Sequence, residues 1–214
     1  MIRVITISRE YGSGGSAIAR LLAAQLRWRL IDDALICEIA RKAKVNPEVA
    51  ERFDECVDPW FHRMVKSLWR GGYEGSASRV EGDAFFDADT MAAMWRSVIE
   101  EAAKAGECVA VGRGGQCILQ GREDAFHVSV YAPLVERMEI LHASLPPETD
   151  LCAVIDESDR RRAAYIRRYF GQDWADRDLY NLMICSCMGT EAGVAAILAA
   201  TGLTESATRL ENSS

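Results

Sequence analysis

Three features are missing from this sequence of 214 residues: a CxxC pair, a long apolar run and an excess of basic residues. The seven cysteines are scattered, and the two closest, Cys185 and Cys187, have no further cysteine or histidine at zinc-site spacing, so a structural zinc site is not predicted. No apolar run approaches the roughly 20 residues that a membrane-spanning helix needs. The net charge of −7 argues against a protein that binds nucleic acid through its phosphates.

The N-terminal residues also lack the apolar segment and the small-residue cleavage site of a signal peptide. Isolated thiols within apolar runs suit a reducing compartment. We therefore expect a cytoplasmic protein that has neither a membrane nor a nucleic acid as its partner. The sequence carries no indication of the oligomeric state.

Apolar runs typical of buried strands alternate with segments of helical periodicity, which predicts an α/β fold with a parallel sheet between two layers of helices. Strands are predicted at 2–7, 30–31, 108–111, 126–131 and 180–185, and helices at 17–26, 34–43, 46–70, 88–105, 133–143, 151–170 and 190–201. The polar, glycine-rich segment 71–87 is predicted to be a mobile loop. We expect a single domain over residues 1–204 and a frayed tail over 205–214.

The most informative segment, residues 8–17, follows the first predicted strand and leads into the first helix. Five consecutive small residues let the backbone N–H groups turn towards a phosphate, to which the helix presents its positive end: Gly12, Ser13, Gly14, Gly15 and Ser16. The alternative is a tight strand-to-helix turn that binds nothing. A dinucleotide fingerprint fits less well, because its later glycine is missing. We interpret the segment as a phosphate-binding loop.

Several motifs together resemble the cytidylate kinase-like family, relatives of the P-loop nucleoside monophosphate kinases. They are ITISREYGSGGS at 5–16, LIDD at 30–33, VGRGG at 111–115 and the stretch 165–182. The resemblance implies a P-loop NTPase-like three-layer sandwich with a helical monophosphate-binding insertion at 44–105 and a lid at 146–174. It implies an ATP-dependent phosphotransferase that uses magnesium and acts on a nucleoside monophosphate or a similar small acceptor.

The same resemblance assigns roles to individual residues. ATP phosphates would lie on residues 12–16, with Ser16 as a magnesium ligand or, alternatively, as a helix cap. Asp32 and Arg113 would hold the acceptor, although Asp32 also suits a cap for the next helix. P-loop kinases carry a lysine where this sequence has Gly15, so Arg9 is the candidate replacement cation. The alternative for Arg9 is a surface arginine paired with an acidic neighbour.

Four arginines in the predicted helix 151–170 share one face, because seven residues are close to two helical turns: Arg160, Arg161, Arg167 and Arg168. One interpretation is a lid that closes over triphosphate oxygens. The other is a solvated basic face that is balanced by acidic residues of the same helix: Asp156, Glu157 and Asp159. In the P-loop context we predict the lid, with Arg161 and Arg168 as catalytic residues and Arg160 and Arg167 as nucleotide-binding residues.

Two hypotheses of different classes remain open at this stage. The first is the phosphotransferase, and the second is a non-catalytic nucleotide-binding module that has lost the loop lysine. A third and weaker one is a scaffold domain in which the loop is a relic. Gly114 replaces the aspartate that cytidylate kinases carry, so the resemblance does not extend to cytidine recognition.

Overall fold

The computed structural model of the protein describes residues 1–32, 35 and 88–203. Its strands are β1 (Val4–Arg9), β2 (Arg29–Ile31), β3 (Cys108–Val111), β4 (Ala125–Tyr131) and β5 (Leu182–Cys185). Its α-helices are α1 (Gly15–Leu26), α2 (Ala88–Ala105), α3 (Gly115–Ile118), α4 (Leu134–His142), α5 (Leu151–Phe170) and α6 (Thr190–Thr201). Two short 3₁₀ helices flank β5, at Arg177–Leu179 and Ser186–Met188.

All the described strand pairs are parallel, and the order across the sheet is β2-β3-β1-β4-β5. The central strand β1 pairs with β3 on one side and with β4 on the other, so that Ile7 lies opposite both Val111 and Val128. Because these strands are parallel, the carboxyl ends of β1, β3 and β4 lie together at one edge of the sheet. The predicted α/β class with a parallel central sheet is confirmed.

Each face of the sheet has its own apolar core. Alternate side chains of β1 point to opposite faces, so Val4 packs with the α2 side chains, whereas Ile5 and Ile7 pack with those of α1 and α6. Trp95 is the largest side chain buried on the α2 face. Helices cover both faces, and this arrangement is the expected three-layer sandwich.

Some element boundaries differ from the predicted ones for local reasons. β1 ends at Arg9 and not at residue 7, because Ser8 and Arg9 continue the pairing with β4. β5 starts at Leu182, since a 3₁₀ turn capped by the Asp176 carboxylate takes up the preceding residues. The four-residue helix α3 was not predicted, because its only distinctive sequence feature is the pair of glycines at its start.

Much of the predicted insertion lies outside the described residues. This applies to most of the helix at 34–43, to the helix at 46–70, to the loop at 71–87 and to the tail. Within the described part of the chain, α2 falls in the range predicted for the insertion and α5 in the range predicted for the lid, and α2 packs directly on the sheet. None of the described helices is long and apolar enough to span a membrane.

Candidate phosphate-binding site

The glycine loop connects β1 to α1 at the carboxyl edge of the sheet. Gly12 and Gly14 have φ values of 79° and 73°, a left-handed conformation that glycine adopts without strain. Among the residues that the structure describes, no acceptor is found for the N–H groups of Gly12, Gly14, Gly15 and Ser16. A row of unused donors at a helix N-terminus suits an anion, and the loop therefore fits the phosphates of a nucleotide.

Gly12 and Gly121 offer a matched pair of substitutions, because their φ values are 79° and 80°. A methyl group at Gly12 would lie 2.8 Å from Leu141 Cδ1 and 3.0 Å from the Arg137 carbonyl oxygen, whereas nothing lies within 4 Å of one at Gly121. We expect Gly121→Ala to cost about 1 kcal/mol in the free energy of unfolding and Gly12→Ala about 2–4 kcal/mol. Urea unfolding measures both, and equal losses would show that the loop is not packed tightly on α4.

Ser13 serves the loop itself. The side chain is fully buried, and its hydroxyl donates to the Glu10 carbonyl at 2.9 Å and to the Val130 carbonyl at 3.3 Å. Its N–H also donates to the Glu10 carbonyl, at 3.3 Å. The structure therefore turns the polar groups of Ser13 inward, where they hold the curve of the loop, and leaves the glycine N–H groups to face a ligand.

Arg9 occupies the space that a loop lysine would need. Its side chain passes Gly15 and reaches Gly112 in the turn after β3. A methyl group at Gly15 would lie 2.6 Å from the Cβ of Arg9, and one at Gly112 would lie 2.0 Å from its Nη1. Because the closest contact is with the Cβ of Arg9, a side chain at 15 and a side chain at 9 exclude each other. The glycine in place of the lysine therefore leaves room for the side chain of Arg9.

A cavity of about 340 Å³ opens between this loop and α5. Its floor comes from the ends of β1 and β3, and its roof from α5 and the segment that follows. Four of the residues that line it are arginines: Arg9, Arg113, Arg161 and Arg162. The loop segment contributes Ser8, Arg9 and Tyr11 to the lining, and Gly12 follows directly in the chain. Several positive charges around one cavity favour a ligand that carries more than one phosphate.

The four arginines predicted for the lid do not converge on one site. Arg161 lines the cavity, and it also pairs with Glu157 at 2.6 Å. Arg160 is exposed and pairs with Asp156 and Glu157, as in the solvated-face interpretation. Arg168 pairs with Asp89 of α2 at 2.9 Å, and Arg167 is exposed. The structure thus brings one of the four to the cavity.

Asp32 and Arg113 follow neighbouring strands but have different surroundings. Asp32 follows β2, and its Oδ1 accepts a hydrogen bond from the Leu35 N–H at 3.1 Å, which is the helix-capping interpretation. Arg113 has a φ of 53° in the turn after β3, and its guanidinium lies over the Trp95 ring, 5.0 Å from the centroid. Arg113 lines the cavity, and Asp32 does not.

Sequence reasoning missed a buried ionic network that connects the loop, α4 and α5. Arg137 of α4 donates to the Tyr11 carbonyl at 2.7 Å, to Glu10 at 3.3 Å and to Asp159 of α5. Arg162 of α5 donates to the Arg9 carbonyl at 3.1 Å and lies over the Tyr11 ring, 5.5 Å from its centroid. The position of Arg137, four residues before the buried Leu141 on one helix face, was the available signal.

The far wall of the cavity is held by hydrogen bonds to Ser8. The Trp174 indole N–H donates to Ser8 Oγ at 2.7 Å, and the Tyr180 hydroxyl donates to the Trp174 carbonyl at 2.9 Å. Burial raises the pKa of Tyr180 to about 12, so the hydroxyl keeps its proton and remains a donor. These bonds fix the segment after α5 against the end of β1.

Magnesium has one predicted ligand in this region, Ser16 in the first turn of α1. In the ranges 1–32 and 88–203, no three His, Cys, Asp or Glu side chains converge closely enough to hold a metal ion. Mg²⁺ commonly keeps several waters and binds through substrate phosphates. The hydroxyl of Ser16, beside the unused N–H groups, fits such a shared arrangement.

A parallel sheet in this strand order, with a glycine loop between its central strand and α1, defines a kinase-like P-loop protein. The model of the cytidylate kinase-like family matches residues 4–187, and the chain belongs to that family. Membership supports the general class of a kinase-type phosphotransferase. No curated protein is similar enough to this chain to count as a relative.

One solved structure shares the fold, and two more distant ones are also similar. An uncharacterised protein from Eubacterium ventriosum is 17% identical, covers 94% of this chain and 99% of its own, and superposes with a TM-score of 0.66. Shikimate kinase from Acinetobacter baumannii, solved with shikimate, is 16% identical over 100% of this chain and 94% of its own, with a TM-score of 0.46. Shikimate kinase from Bacteroides thetaiotaomicron is 12% identical over 91% and 95%, with a TM-score of 0.46.

Proposed function

We propose that the protein is an ATP-dependent phosphotransferase whose acceptor is a nucleoside monophosphate or a similar small phosphorylated molecule in the cytoplasm. The observation that carries the proposal is the cavity with four arginines beside the glycine loop. Phosphoryl transfer needs positioning and charge compensation, and no covalent intermediate on the protein is required. Both requirements are supported by the residues present.

Each group has a proposed task in this scheme. The N–H groups of Gly12, Gly14, Gly15 and Ser16 bind the phosphates of ATP, while Ser13 holds the loop in shape. Arg9 compensates the charge that develops on the transferred phosphoryl group. Arg161 and Arg162 act from the roof, while Arg113 binds the acceptor phosphate. Mg²⁺ bound with the nucleotide at Ser16 would neutralise phosphate charge. Tyr165, Ile166 and Trp174 close the cavity against water.

Four residues keep roles that their positions support less directly. Asp32 caps a helix, yet it follows β2, which pairs with β3 at the same edge of the sheet as Arg113. Arg160 and Arg167 remain proposed nucleotide ligands and Arg168 a proposed catalytic residue, provided that α5 moves when a nucleotide binds. The exposed ion pairs of Arg160 and Arg168 cost little to break, because such pairs contribute at most about 1 kcal/mol.

The test is a coupled phosphorylation assay with ATP, Mg²⁺ and each nucleoside monophosphate in turn. Turnover of one or more acceptors is expected, with a loss of rate when EDTA removes the metal. Arg161→Ala should reduce kcat/KM about 10- to 100-fold, since it removes one cavity cation. Arg20→Ala changes an exposed arginine of α1 outside the site and serves as the control. Absence of turnover with every acceptor in a folded sample contradicts the proposal.

The second candidate function is a non-catalytic nucleotide-binding module, which the missing lysine at Gly15 favours. It predicts that ATP at 100 times its Kd raises the Tm by about 5 °C or more while no product forms. The phosphotransferase predicts the shift and the product together. An unchanged Tm with ATP and every monophosphate would contradict both functions.

A further inference from the structure

Three donors from different parts of the chain converge on the Asp159 carboxylate of α5. The Tyr11 N–H donates to Oδ1 at 2.8 Å, Arg162 Nη1 donates to Oδ1 at 3.2 Å, and Arg137 Nη2 donates to Oδ2. The side chains of Arg137 and Asp159 are only 9% and 19% exposed. Two guanidinium groups and a backbone N–H of a phosphate loop make up a donor set that suits a phosphate oxygen.

We propose that these donors form an oxyanion site that Asp159 fills in the nucleotide-free protein, and that a phosphate group of the bound nucleotide displaces the Asp159 carboxylate. The inference rests on the proposed function and extends it by adding a binding site and its occupant. The ligand class is the phosphoryl oxygen of a di- or triphosphate chain. ATP and an inorganic polyphosphate share that chemistry.

The position of the site favours displacement. Tyr11 directly precedes Gly12, the first loop residue whose N–H has no acceptor among the described residues. Tyr11 and Arg162 also line the cavity, so two of the donors border the space that a phosphate chain enters. One of the three donors is therefore the backbone N–H that comes directly before the unused N–H of Gly12 in the chain.

The charges also allow the carboxylate to leave. Arg137 pairs with Glu10 at 3.3 Å as well as with Asp159, so it keeps one carboxylate partner after displacement. A polyphosphate and Asp159 carry charges of the same sign, and their repulsion weakens binding as long as Asp159 stays in place. The carboxylate thus competes with the ligand for the same donors.

Asp159→Asn tests this competition, because the amide retains the shape of the side chain without its charge. Asp178→Asn makes the same change at an exposed carboxylate of the 3₁₀ turn Arg177–Leu179, outside α5 and the cavity lining. Calorimetric titration with inorganic tripolyphosphate is expected to give a Kd about ten-fold lower for Asp159→Asn than for the wild type. The Kd of Asp178→Asn should stay within about two-fold of the wild type.

The outcomes separate this inference from the proposed function. If the wild type binds tripolyphosphate and Asp159→Asn binds it equally or more weakly, the oxyanion site is overturned and the phosphate loop stands. If neither protein binds tripolyphosphate or ATP, both proposals fail. If Asp159→Asn bound ATP more tightly than the wild type but tripolyphosphate no more tightly, the effect would belong to the nucleoside, and the oxyanion site would also be overturned.

The wild-type protein gives a second measurement that does not depend on how well a variant folds. Displacement changes the partner of the Tyr11 N–H from a carboxylate to a phosphate. The Tyr11 amide resonance in a ¹⁵N–¹H spectrum should therefore move during titration with tripolyphosphate and saturate at the same Kd as the calorimetry. A Tyr11 resonance that does not move at saturation overturns the proposal.

Discussion

Arg9→Ala is expected to reduce kcat about 10²–10³-fold while KM for ATP changes much less, because we assign Arg9 to charge that develops in the transition state. The side chain extends from the loop to Gly112 and lines the cavity, so its guanidinium borders the space that we propose for the phosphates. Steady-state kinetics of the coupled phosphorylation assay give both constants. Arg9→Lys should fall between the wild type and alanine, since lysine keeps the charge but not the fork geometry.

Arg20→Ala is the control for the Arg9 variants, since it removes an exposed arginine from α1. The Tm of each variant is measured alongside its kinetics. A purely structural role for Arg9 would give a lower Tm with kcat unchanged per folded molecule, and this result would contradict the assignment. If both kcat and Tm were unchanged, the result would show that Arg9 has no catalytic role.

The overall fold was accessible from the sequence because its signals are local. β-branched runs and glycine turns mark strands and loops without any knowledge of their partners. The extents of β3, α5 and α6 match the predictions residue for residue. Predicted boundaries failed where a tertiary contact decides them, as at Arg9, where pairing with Val130 of β4 extends β1.

The lid arginines show why the site was harder to predict. Spacing alone grouped Arg160 with Arg167, but a repeat of seven does not say which face is buried. The buried face is marked by Ile155 and Ile166, and Asp159 and Arg162 fall on it at helical spacing between them. Charged residues on an apolar stripe were therefore the better signal for the residues that contact the loop.

The relation between positions 9 and 15 could not be predicted from sequence either, since it depends on a close approach of side chain and backbone. The sequence indicates only that the lysine is absent and that an arginine precedes the glycines. The structure connects these two observations. A Cβ at position 15 would lie 2.6 Å from the Cβ of Arg9, so a side chain at one position excludes a side chain at the other.

This mutual exclusion predicts that Gly15→Lys strongly lowers both stability and turnover, and that Arg9→Gly in the same chain restores part of both. Gly15 is buried, and a side chain there meets Arg9 at 2.6 Å and Val130 at 3.2 Å, so the single variant should lose about 2–3 kcal/mol of unfolding free energy and nearly all turnover. Arg9→Gly removes the closer contact and frees the path of the lysine. In the double variant we expect at least about 1 kcal/mol of coupling energy and a kcat above that of Arg9→Gly alone.

Urea unfolding of the wild type, both single variants and the double variant completes the cycle, with Gly15→Ala to separate the Cβ contact from the lysine charge. Additive losses of stability, together with a kcat no higher than that of Arg9→Gly, would show that Arg9 does not stand in for the lysine.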